Sequence, residues 1–173
     1  AVWFVRHTAW GIPVVSYFIV SAIVGWSDVE ALNARRADLL YRTDHHRLLE
    51  ACREVMVNRN TYRRGVDGNR DFINPQDPKL PSEISELKPE WIICDDEDRL
   101  YFQLHGGREY FGVYAYSKET AGDHSKDTSP WSGKMQLIPG LFFFDDRLSY
   151  ADRDEYRKKL RAMKPAGAPM PDW

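Results

Sequence analysis

The chain lacks most of the signatures by which a sequence announces chemistry. Its 173 residues contain no G-x-S-x-G turn for a serine nucleophile, no phosphate loop, no dinucleotide fingerprint, no N-x-S/T acceptor and no internal repeat. Cysteine is scarce: Cys52 and Cys94 stand far apart with no C-x-x-C pair, which removes the signal for a zinc site or a thioredoxin-like motif. Charge of one sign is also missing. A formal net charge of -2 and a pI near 6.2 give no overall attraction for nucleic acid or for an anionic surface. No cofactor is implied.

What is present is unevenly distributed. Mean hydropathy is -0.56, yet residues 8–26, "TAWGIPVVSYFIVSAIVGW", carry no charge at all. About 20 apolar residues cross a hydrocarbon core about 30 Å thick, so this run is long enough to span a bilayer. Trp10 and Trp26 bracket it at headgroup level, and Gly11 and Pro13 fall in its first turns, where proline is tolerated. Because the run is apolar on every side, a membrane helix over residues 1–26 is favoured over a buried soluble helix or a signal cleaved after "VSA". Arg35, Arg36 and Arg42 favour a cytoplasmic body by the basic-residue rule. The common plan of short head, span and large outer domain favours an extracytoplasmic one, which is the expectation adopted.

Residues 27–58 read as a helical neck and core helix. Ser27 and Glu30 form a capping box, and a second start is expected at Thr43, with Asp44 complementing the helix dipole. Leu48, Leu49, Cys52, Val55 and Met56 then recur on one face. His45 and His46 are adjacent, point about 100° apart on a helix, and read as solvent-facing instead of as a metal pair. Residues 59–89 read as an irregular linker in which Arg59, Arg63, Arg64 and Arg70 concentrate positive charge near Asp67 and Asp71. Arg63 and Arg64 are candidate contacts for phosphate groups or acidic lipid. Within the linker "PSEISELK" predicts one short helix with Ile84 and Leu87 inward, stopped by Pro89.

From residue 90 the period changes. "EWIIC", "LYFQL", "EYFGVYAYS", "MQLI" and "LFFFD" predict about five antiparallel strands, and "SYADRDEYRKKLRAM" a closing helix with acids early and bases late. Residues 90–163 thus form an antiparallel sheet with its C-terminal helix, and residues 164–173 a tail. The fold class is α+β, the sheet being covered on one face by helices. The run "DDEDR" lacks the spacing and glycine of a calcium loop and reads as a hairpin tip. A helix face and a strand bring Cys52 and Cys94 within reach of a disulfide in an oxidising compartment.

Two readings of function follow. Tyr110, Tyr114 and Tyr116 share strand parity with Gly112, opposite Phe111, Val113 and Ala115, so one sheet face is tyrosine-rich and suited to a protein partner. The chain is then a membrane-tethered binding or structural module, without nucleic acid as a partner and not an enzyme. The rival reading is a small hydrolase or metal-dependent enzyme centred on His105 in "LHGGREYF". There Asp95, Asp98, Asp145, Asp146 or His124 would have to lie nearby. A simpler account of that stretch gives Gly106 and Gly107 the positive φ values of a tight hairpin.

The outline of apolar helix followed by antiparallel sheet resembles that of type IV pilins and their relatives. The resemblance is one of architecture only. Those proteins carry a glutamate near the start of the apolar segment, and residues 8–26 contain none.

Overall fold

The computed structural model describes residues 29–62, 72–95, 99–106, 110–118, 133–146 and 153–167. By its internal contacts the chain divides into residues 1–36 and 37–173. Of the first unit the described part, 29–36, is helical. The candidate membrane span lies outside the described residues, and among the described residues no helix is long and apolar enough to cross a membrane.

The second unit opens with a π-helical turn, Asp38–Arg42, that buries Leu39, Leu40 and Tyr41. Helix α1, His45–Val57, follows. Its N-cap is Asp44, one residue later than expected, with the Asp44 carboxylate accepting from the amides of His46 and Arg47, each at 3.1 Å. Thr43 instead ends the π turn, its amide and hydroxyl both donating to the Asp38 carbonyl at 3.0 Å. The amide bonds hold the Asp44 carboxyl below its ordinary pKa, the Arg47 amide contributing most. His45 is not simply solvent-facing: its Nε2 lies 2.9 Å from the Leu39 carbonyl, which requires the proton on that nitrogen. His46 is exposed.

Beyond a 3₁₀ turn, Arg59–Thr61, the expected linker contains more order than its composition promised. Strand β1 is the dipeptide Phe72–Ile73, and residues 74–80 turn through side-chain-to-backbone bonds. The Asn74 and Asp77 carboxamide and carboxylate oxygens each accept, at 2.9 Å, from the amides of Gln76 and Lys79. Helix α2, Ser82–Ser85, buries Ile84 completely while Leu87 is half-buried. Lys88 adopts φ 51° immediately before Pro89, the left-handed step that ends this turn.

Five longer strands complete an antiparallel sheet: β2 (Trp91–Asp95), β3 (Arg99–His105), β4 (Phe111–Tyr116), β5 (Gly133–Ile138) and β6 (Leu141–Asp145). The sheet has six strands, not five, in the order β1-β2-β3-β4-β6-β5. The chain therefore meanders through β4, passes to the far edge for β5, and returns through β6 to fill the place between. Pro139 and Gly140 close the β5–β6 hairpin, with Gly140 at φ 88° as a tight turn requires.

Register places Ile92, Phe102, Val113, Phe143 and Met135 across one face of the sheet, with Leu100, Leu104, Phe111, Ala115 and Leu141 beside them, all buried. Helix α1 lays its buried stripe of Leu48, Leu49, Cys52, Val55 and Met56 over β3, β4 and β5, as its spacing predicted. Each such side chain contributes about 1.5 to 3 kcal/mol by leaving water. Helix α3, Arg153–Ala162, buries Tyr156 and Leu160. The Tyr41 hydroxyl donates to the Leu160 carbonyl at 2.7 Å, tying the start of the unit to its end. Cys52 and Cys94 are both buried and are not joined in a disulfide, which decides a pairing the sequence left open. Burial pushes the Cys52 thiol pKa far up, which leaves it an inert small hydrophobe.

Candidate functional site

Strand alternation sends every second residue of β2, β3, β4 and β6 away from α1. On that outer face register aligns Ile93, Tyr101, Tyr114 and Phe142, and beside them Trp91, Gln103, Gly112, Phe144 and Lys134. The rings pack on one another. Tyr101 and Tyr114 lie 4.8 Å apart between centroids, each is 5.0 Å from Phe144, and Tyr116 meets Phe142 edge-on at 5.5 Å. Phe72 and Trp91 form a second edge-to-face pair at 5.0 Å. Gly112 makes the cluster possible, because a Cβ there would run into the Phe102 carbonyl oxygen and sit 2.7 Å from the Phe144 ring.

Two cations border the rings: Lys134 Nζ is 4.3 Å, and Arg99 Cζ 6.0 Å, from the centroid of Tyr114. Tyr101 donates to Gln103 Oε1 at 2.9 Å. Its hydroxyl pKa is raised, first by burial and then by the neighbouring Tyr114 and Tyr110. Water reaches the margins of this surface more than its centre. Trp91 is 45% and Tyr110 46% exposed, while Phe144 is 4% exposed.

The expected tyrosine face thus exists, with changes of membership. Tyr114 sits within the cluster half-buried, Tyr110 precedes β4 as an exposed flank, and Tyr116 is largely buried instead of being available for contact. Tyr101, Phe142, Phe144 and Trp91, from three other strands, were not anticipated as members. Parity in "LYFQL" was a usable signal for Tyr101, which alternates with Leu100 and Phe102. Arg63 and Arg64 lie outside the described residues.

His105 ends β3 at a bulge, where register shifts between Gln103 and His105. Its Nδ1 is 3.4 Å from Glu90 Oε1, both side chains being partly exposed. Glu90 was not among the expected partners; it arrives because its amide donates to the Gln103 carbonyl at 2.8 Å. The same carboxylate accepts from the Gly106 amide at 2.8 Å. Gly106 does not take the positive φ expected of it, which among described glycines belongs to Gly140 and Gly167; the bulge and the Glu90 anchor begin the reversal instead. Gly107 lies outside the described residues.

Of the other expected partners of His105, Asp145 is fully buried and accepts from the Tyr156 hydroxyl at 2.8 Å. Asp98 and His124 lie outside the described residues. Among the described residues no three His, Cys, Asp or Glu side chains converge as a metal site would require. A lone His–Glu pair can exchange a proton, but it brings no nucleophile to a substrate.

No family model matches the chain, and no curated protein or solved structure matches it either.

Proposed function

We propose that the chain is a non-catalytic binding module, held at a membrane by residues 8–26, that docks a protein partner on the outer face of its sheet. The observation that carries this reading is the aromatic cluster of Tyr101, Tyr114 and Phe144, with Trp91 and Tyr110 exposed at its borders. Aromatic rings lose little conformational freedom on binding and offer apolar area with a polar rim, the composition of interface centres. Self-stacking holds the rings in place before any partner arrives, which lowers the ordering cost. The enzyme reading rests on the His105–Glu90 pair alone, and that pair has a structural use in anchoring Gly106.

Docking is tested by placing a photo-crosslinking phenylalanine analogue at position 91 or 110 in cells, with position 57 as the control. Val57 is 83% exposed on the helix that covers the other face. A discrete adduct of one size from positions 91 and 110, absent from 57, is the expected result; equal smears from all three would sink the docking face. Tethering is tested separately by carbonate washing of membranes. Because both native thiols are buried, sidedness requires Val57→Cys and an impermeant thiol reagent. Retention in the pellet with labelling from outside the cell supports the tether, and release into the supernatant removes it.

A further inference from the structure

The edge of the sheet formed by β5 borders the aromatic face, the two sharing Lys134. Strand β5 stands last in the strand order, and among the described residues β6 alone pairs with it. A row of backbone donors and acceptors on an edge strand is a template for another strand. Alongside β5 runs an open groove of about 450 Å³, lined by consecutive residues from Lys134 to Pro139 and by Arg157 of α3. Its lining follows six consecutive residues, a length that an extended peptide of about six residues matches at about 3.3 Å per residue.

The chemistry of the groove selects among peptides. Among the described residues its charged lining groups, Lys134 and Arg157, are both positive. Lys134 is engaged over the Tyr114 ring, whereas Arg157 Nε is buried and, among the described residues, has no hydrogen-bond partner. The half-exposed Arg157 side chain brings its charge to the groove wall, and a carboxylate is the partner that matches a guanidinium best, through charge-assisted bonds. The helix that presents Arg157 reinforces the sign: "RDEYRKKLRA" holds five basic and two acidic residues. The irregularity between Gln136 and Ile138 interrupts regular pairing. Such irregularity discourages indiscriminate strand addition; a partner must therefore gain something beyond main-chain bonds.

We propose that the β5 edge is a strand-addition site for an extended acidic peptide, whose main chain pairs with β5 and whose Asp or Glu carboxylate meets Arg157.

The test uses the full chain in mild detergent, so that residues 8–26 do not affect solubility, and a fluorescein-labelled heptapeptide of alternating threonine and valine with a central glutamate. Fluorescence anisotropy is expected to show saturable binding, weakened roughly tenfold or more when the central residue is glutamine. Methylating alternate backbone nitrogens of the peptide is expected to abolish binding, since pairing then fails. Arg157→Gln is expected to erase the preference for glutamate over glutamine. No binding by the glutamate peptide overturns the proposal, as does equal affinity for the glutamate and glutamine peptides or indifference to N-methylation. Should Arg157→Gln fail to fold, the peptide series on the unaltered protein still decides the matter.

Discussion

On the helix side of the sheet Phe102, Val113 and Phe143 are sealed at 0% exposure beneath α1. On the opposite side their neighbours in the same strands, Tyr101, Tyr114 and Phe144, pack ring against ring. The same backbone thus supports two kinds of packing. One excludes water by stacking a second layer on the sheet. The other leans flat rings across the strands, with Gly112 supplying the space, and leaves Trp91 and Tyr110 open at the border. The inner face therefore supplies stability, while on the function proposed above the exposed rings of the outer face supply the area for contact. Aromatic stacking adds about 0.5 to 1.5 kcal/mol per pair beyond area, less than a full core side chain contributes.

That contrast is open to measurement. Phe102→Ala removes a fully buried ring from beneath α1 and is expected to cost about 3 to 5 kcal/mol, read as a lower urea midpoint with little change of slope. Tyr114→Ala, one strand away on the other face, is expected to cost on the order of 1 to 2 kcal/mol. Equal losses would mean that both faces are cores. A smaller effect is expected of Gly112→Ala, about 1 to 3 kcal/mol from overpacking. Adding Phe144→Leu to it should recover only the part due to the ring, because the clash with the Phe102 carbonyl oxygen is with backbone. Full recovery would show that the ring alone demands the glycine.

How far these two faces were legible in the sequence depends on the range of the interaction that makes them. Alternation within "EYFGVYAYS" separates Phe111, Val113 and Ala115 from Tyr114 and Tyr116, and helical spacing marks the stripe from Leu48 to Met56; both are local periodicities. Strand β1 was not legible, because two residues cannot display a period, and Phe72 and Ile73 are strand only by pairing with Ile93 and Ile92. Nor was the position of β5. A hairpin signal in "IPGL" joins it to β6, but nothing local says that the pair lies with β6 inward. The candidate sites suffered most. Glu90 reaches His105 through the register of β2 against β3, and Arg157 reaches the β5 groove through the docking of a helix about twenty residues further on. Charge, parity and capping are written in the chain one segment at a time, whereas a site is assembled from several.

The subtlest test of the contrast is the titration of Tyr101. Burial, with Tyr114 and Tyr110 nearby, raises its hydroxyl pKa in the folded protein above the ordinary value of about 10. The folded chain therefore holds a proton that the unfolded chain gives up once pH exceeds about 10, and unfolding then releases protons. Stability from this group is whole below about pH 10 and declines as pH rises toward the folded pKa. Tyr41 and Tyr62 are raised too, each mainly by burial, and contribute in the same direction. Urea midpoints measured from neutral to alkaline pH are expected to fall on that limb, and Tyr101→Phe to make the fall shallower without removing it. An alkaline limb unchanged by Tyr101→Phe would mean that the ring titrates like one in water. The outer face would then be open to solvent at its centre.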